Sequence, residues 1–264
     1  MRWVGTSWKM TKTLAEAADF ASALAMVDVP SRWPGVQPFV IPPSTALATV
    51  HDVLGPRSGV LLGAQNAHWE DAGAWTGEVS VPQVADAGAQ IVEIGHSERR
   101  EHFGETDRTV NLKVRATLRH GLRPLVCVGE PDEVFRAHGS VEHVRTQVRA
   151  ALDGVPDPSD VLIAYEPVWA IGADGRPARP QDVTEVFAAL ASDLGATVSG
   201  LLYGGSVTLD NAAKILAVPG VTGLFIGRAA WAVDDFVAIL DRVAALPVLP
   251  ASAARSDRSR AVTR

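Results

Sequence analysis

Eight times along this chain a short apolar run is followed by an alanine-rich stretch whose apolar residues recur at helical spacing, and few architectures accommodate that rhythm. The apolar runs fall near residues 2–7, 37–41, 60–65, 90–94, 123–128, 161–165, 198–203 and 223–226. The helical stretches follow near 14–27, 45–54, 81–87, 106–120, 141–152, 182–194, 209–217 and 233–246. Strands alternating with helices pair in parallel. Eight such units within about 250 residues predict one α/β domain, a (β/α)8 barrel. A doubly wound open sheet is the competing arrangement, but no G-x-G-x-x-G opens a helix after the first strand. The barrel is expected to occupy residues 1–246. From Pro247 onward the composition turns to Ala, Ser and Arg without any period, which predicts a disordered tail over 247–264.

Composition narrows the setting. A formal charge of −6 and a pI near 5.6 offer no basic face for nucleic acid. No apolar run approaches the eighteen or so residues of a membrane span, and the N-terminus has no signal-peptide apolar core. The single cysteine, Cys127, cannot close an intramolecular disulfide. These features predict a soluble, cytoplasmic protein with neither nucleic acid nor membrane as partner.

In a barrel of this kind the chemistry sits at the C-terminal ends of the strands. The chain places its polar clusters there: Ser7 and Lys9 in "GTSWKM", then "AQNAHWEDAGAWTGE", "EIGHSERR", "AYEPVWAIGADG", "YGGS" and "IGRAAW". Ser7 and Lys9 are two residues apart, the strand repeat, so both are expected to face one space. Glu166 follows an apolar strand and precedes a proline. It is either a partly desolvated base or a structural partner for an arginine. His96 precedes a short helical stretch, "SERREHF", whose N-terminus disfavours a charged imidazole, though a loop histidine can equally be a solvated residue. The glycines of "GGS" (204–206) and "IGR" (226–228) follow the seventh and eighth strands, where backbone N–H groups commonly hold phosphate. "AIGADG", 170–175, reads as a loop able to close over a bound anion, or as an ordinary loop.

Together "AQN…GAWTGE", "EIGHSERREHFGET", "CVGE", "AYEPVWAIG", "YGGSV" and "GLFIGRAAW" resemble the motifs of the triosephosphate isomerase family, in its order and over nearly the whole chain. The resemblance implies a TIM barrel with Glu166 as general base, His96 as electrophile and Lys9 as electrostatic anchor. It implies that Glu98 orients the lysine, and that Gly172, Ser206, Gly227 and Arg228 supply phosphate contacts. The reaction implied is proton transfer through an enediol on a phosphorylated three- or four-carbon sugar, with no cofactor and no metal. A homodimer is implied as well, with "GAWTGE" reaching the neighbouring subunit and Thr76 near its site.

Three positions depart from the family pattern. The family ordinarily has asparagine where Ser7 stands, a second glycine where Arg228 stands, and a lid one residue shorter than "AIGADGRPA", in which Pro177 restricts the backbone. Serine in place of asparagine removes a carboxamide and keeps one hydroxyl, making room beside the reacting carbons. "GTSWKM", "WTGE" and "GLFIGR.AW" also resemble a branch of the family assigned to L-erythrulose 1-phosphate in erythritol breakdown. The expected substrate is therefore that tetrulose phosphate, with the triose phosphates as the alternative.

Overall fold

Eight parallel strands close into a barrel in chain order: β1 (Arg2–Ser7), β2 (Val36–Ile41), β3 (Leu61–Ala64), β4 (Ile91–Ile94), β5 (Arg123–Val128), β6 (Leu162–Tyr165), β7 (Gly200–Tyr203) and β8 (Gly223–Ile226). The computed structural model describes residues 1–172 and 175–247. Closure is made by β1, whose Arg2 sits opposite Val36 on one side while Trp3 sits opposite Gly223 on the other.

Alternation along each strand divides the apolar residues between two cores. Ile91, Leu125, Leu162 and Leu202 fill the barrel interior, while Val92, Ile94, Val126 and Ile163 face the helices. Phe39 stacks on Phe225 inside the barrel, ring centroids 5.9 Å apart. Gly5 permits this, because a Cβ at that position would lie 2.1 Å from the Phe39 ring. The same parity turns Glu93, two residues beyond Ile91, toward the interior rather than the helices.

The helices are α1 (Leu14–Ala25), α2 (Val29–Arg32), α3 (Leu47–Leu54), α4 (Val81–Asp86), α5 (Ser97–His102), α6 (Asp107–Arg119), α7 (Asp132–Arg136), α8 (Ser140–Leu152), α9 (Pro180–Leu194), α10 (Ala212–Leu216) and α11 (Val233–Ala244). Each longer helix buries one stripe. In α11 the stripe is Phe236, Ile239, Leu240 and Val243, each contributing about 1.5–3 kcal/mol of burial. Capping boxes start α1 at Thr13, α4 at Ser80 and α6 at Thr106. No helix among the described residues is long and apolar enough to cross a membrane.

The expected elements are present, and their ends differ for local reasons. The helix expected over 182–194 begins two residues earlier, because Pro180 takes the first helical position, where its missing N–H costs nothing. The one expected over 209–217 shortens to α10, since Thr208 donates its N–H to the Asn211 side chain in a turn (2.8 Å) before the helix starts. Helices α2 and α7 were not anticipated; each is a single turn too short for apolar periodicity to register. At the end of the described residues, Pro247 is held by the Arg2 guanidinium, which donates to its carbonyl. The remainder of the expected tail, 248–264, lies outside the described residues, as do Ala173 and Asp174 of the expected lid.

Candidate active site

A cleft of about 540 Å³ opens at the C-terminal mouth of the barrel. Ser7, Lys9, His96, Glu98, Glu166, Gly172, Ser206, Gly227 and Arg228 all line it. Of the residues that the family resemblance assigns to the site, Thr76 alone stands elsewhere, exposed on the loop after β3 beside the half-exposed Trp75.

Lys9 reaches the cleft by a route that strand spacing did not anticipate. Strand β1 ends at Ser7, and Lys9 is carried round by a left-handed backbone, φ 52°, a conformation that costs a non-glycine residue about 1–3 kcal/mol. Its neighbours hold it there. Gln65 donates its side-chain amide to the Lys9 carbonyl (2.8 Å), and the Trp231 indole donates to the Ser7 carbonyl (2.9 Å). The ammonium then pairs with Glu98 Oε1 at 2.5 Å.

His96 caps the N-terminus of α5. Its Nδ1 accepts the Glu98 N–H at 3.1 Å, so a neutral ring carries its proton on Nε2, the nitrogen that lies 3.7 Å from Glu166 Oε2. Burial and the nearby Lys9 ammonium push the imidazole pKa down to about 4. The loop beneath it is fixed by a buried charge network. Glu105 accepts the Gly95 N–H (2.9 Å), the Arg99 guanidinium (2.7 Å) and the Lys113 ammonium (3.1 Å).

Glu166 is 4% exposed, and its Oε2 has no hydrogen-bond partner among the described residues. Burial, with Glu93 as a second negative charge, raises its pKa to about 8. The backbone beneath it is tight. Glu166 N–H donates to the Val128 carbonyl (2.7 Å), and a Cβ at Gly129 would come 1.9 Å from the Glu166 carbonyl oxygen. Beyond Glu166, Trp169 donates its indole N–H to the buried Glu130 (2.9 Å), and Ser206 donates its hydroxyl to the Ala170 carbonyl (2.6 Å). Gly172 follows with φ +85°, a backbone suited to glycine.

Among the participants not assigned from the sequence are Gln65, Glu130 and Glu93. Gln65 and Glu130 stood within motifs already quoted, but their hydrogen-bond partners are distant in the chain. Glu93 had a readable signal, a carboxylate inside the otherwise apolar strand "IVEI" on the same face as Ile91. It is 4% exposed and accepts the Ser7 hydroxyl at 2.8 Å, and its pKa rises with burial to about 7.

A buried carboxylate facing a neutral imidazole, with an ammonium at the rim and glycine loops opposite, can move a proton between adjacent carbons while holding an anion. The model of the triosephosphate isomerase family matches residues 2–243. The chain belongs to the triosephosphate isomerase family. Relatives in this family include a protein of Mycolicibacterium smegmatis named L-erythrulose-1-phosphate isomerase, 58% identical over 247 residues, 93% of this chain and 94% of that one. A protein of the same name from Mesorhizobium japonicum is 50% identical over 250 residues, 92% of this chain and 97% of that one. Among solved members, triosephosphate isomerase from Bartonella henselae superposes with a TM-score of 0.81 at 35% identity, over 92% of this chain and 98% of that one.

Proposed function

We propose that this member of the family interconverts L-erythrulose 1-phosphate and D-erythrulose 4-phosphate through an enediol. The observation that carries the reading is the acid–base pair in the cleft, Glu166 against His96 Nε2 at 3.7 Å with Lys9 beside them. The four-carbon substrate is supported by the relatives bearing that name and by the small Ser7 at the reacting end. Glu166 takes the proton from the carbon that bears the extra hydroxymethyl group. His96 Nε2–H and the Lys9 ammonium, held by Glu98, receive the charge that grows on the two oxygens. Glu166 then returns the proton to the adjacent carbon, so one carbon is oxidised as its neighbour is reduced and nothing else is consumed. Backbone N–H groups at Gly172, Ser206, Gly227 and Arg228 hold the phosphate, and the segment around Gly172 shields the enediol from water. The working unit is a cytoplasmic homodimer of barrels spanning residues 1–246, with Thr76 reaching the partner's cleft.

The structural likeness to the Bartonella enzyme favours one other reading, a triosephosphate isomerase in which Ser7 is a passive substitution. Kinetics on purified protein separate the two. The wild type should have the higher kcat/KM for L-erythrulose 1-phosphate than for dihydroxyacetone phosphate. Ser7→Asn should shift that preference toward the triose by about tenfold or more, since an amide would crowd the hydroxymethyl group. A wild type that turns over the triose alone sinks the assignment.

The base also predicts a pH profile. Glu166 must be ionised to accept a proton, and its free-enzyme pKa is raised to about 8. kcat/KM should therefore climb with pH through 7 and level off above about 8, rather than level off near pH 5 as an ordinary carboxylate would give. The sign for stability is opposite. Glu166 and Glu93 hold their protons more tightly folded than unfolded, so their contributions are greatest at low pH and diminish as pH rises from about 4.5 to 8 and 7 respectively.

A further inference from the structure

Glu93 lies outside the proton-transfer scheme, yet it is a carboxylate buried inside the barrel and touching a residue of the cleft. Among the described residues its side chain has one hydrogen bond, in which the Ser7 hydroxyl donates to Oε2 at 2.8 Å. A serine hydroxyl has a single proton and two lone pairs. With the proton given to Glu93, what Ser7 has left for the cleft is acceptor capacity. Any group that pairs with it there must bring its own hydrogen.

We propose that Glu93 is a positioning residue which turns Ser7 into a hydrogen-bond acceptor for the extra hydroxyl of a four-carbon ketose phosphate, and so sets the preference over the triose. This rests on the tetrulose reading above. The substrate hydroxyl donates to Ser7 Oγ, and Ser7 donates to Glu93, a chain whose end is charged and strengthens each link once pH exceeds the Glu93 pKa of about 7. Dihydroxyacetone phosphate has no hydroxymethyl group on the reacting carbon, and leaves that acceptor unmatched in a nearly dry site. Sites built to bond a hydroxyl discriminate strongly against the analogue lacking it, for this reason. Asparagine at position 7 would present an amide donor instead, and would need no carboxylate beneath it.

Glu93 also acts through charge, and the two roles can be separated. The titratable groups facing it are Lys9 from the end of β1, Glu98 and Glu105 from the segment after β4, Cys127 from β5 and Glu166 from the end of β6. Removing its negative charge should ease ionisation of Glu166.

The test is kcat/KM for L-erythrulose 1-phosphate and dihydroxyacetone phosphate, across pH, in Glu93→Leu, Glu93→Gln, Ser7→Ala and the Glu93→Leu/Ser7→Ala double variant. Glu93→Leu should cut the preference for the tetrulose at least about tenfold, mostly through KM. Glu93→Gln should largely keep the preference, because its amide oxygen still accepts from Ser7. Ser7→Ala should match Glu93→Leu, and the double variant should lose no more than either single one. The acid limb of the profile should move to lower pH in the Leu and Gln variants alike, which loss of packing alone would not do. A preference that survives in Glu93→Leu, that is lost equally in Leu and Gln, or an acid limb that stays fixed in both, overturns the assignment. A wild type that prefers the tetrulose while Glu93→Leu keeps that preference defeats this inference alone. A wild type that ignores the tetrulose defeats the functional reading on which it rests.

Discussion

Glu166→Gln should lower kcat by about a hundredfold to ten-thousandfold, the usual contribution of a positioned general base, while a phosphate-bearing inhibitor binds nearly as well as before. The amide keeps the shape and the burial of the side chain but cannot take up the proton. Stability should not suffer. The carboxyl is 4% exposed and its Oε2 has no hydrogen-bond partner among the described residues, and a neutral amide spares the fold the proton uptake that a carboxyl with a pKa near 8 requires at neutral pH. Steady-state kinetics with an inhibitor titration read both quantities. A glutamine variant with most of its turnover would remove Glu166 from the mechanism.

Gly129→Ala should cost about a hundredfold in kcat although position 129 touches no reacting atom. The added methyl would stand 1.9 Å from the Glu166 carbonyl oxygen and 2.6 Å from its carbonyl carbon, both backbone atoms that no rotamer change can move. The end of β6 must shift, and a displacement near 1 Å of a catalytic group costs on the order of a hundredfold. The overpacking should also lower stability by about 1–3 kcal/mol, read as a denaturation midpoint. KM should change less than kcat, because the glycine loops at 204–206 and 226–228 follow β7 and β8 and not β6, with Ser206 tied to the shifting segment through the Ala170 carbonyl. Wild-type turnover in this variant would show that the close approach is not needed to aim the base.

Two rhythms in the chain specify the architecture. Strand-like apolar runs and helical periodicity depend on residues within a few positions of one another, so they survive in a linear reading, and the order of eight such units leaves little besides a closed barrel. The motifs at the strand ends located the cleft for the same reason, since every one of them is contiguous. Thus Glu166, His96 and the glycine loops could be singled out from the sequence, and Glu98 through the family resemblance that those motifs carry.

Other features came only with closure of the barrel. Ser7 and Lys9 both face the cleft, but Lys9 arrives there through a left-handed turn pinned by Gln65, 56 residues away, and not by continuing the strand. Glu93 was visible as a carboxylate in an apolar strand, but its partner Ser7 is 86 residues distant. The tight contact of Gly129 with Glu166 joins adjacent strands that the chain separates by a whole helical layer. Proton affinities belong to this class as well: the values near 8 for Glu166 and near 4 for His96 arise from burial and from charges on other strands. Local sequence carries propensity and pattern. Desolvation, steric fit and the pairing of distant polar groups exist only once the chain has brought those groups within a few ångströms of each other.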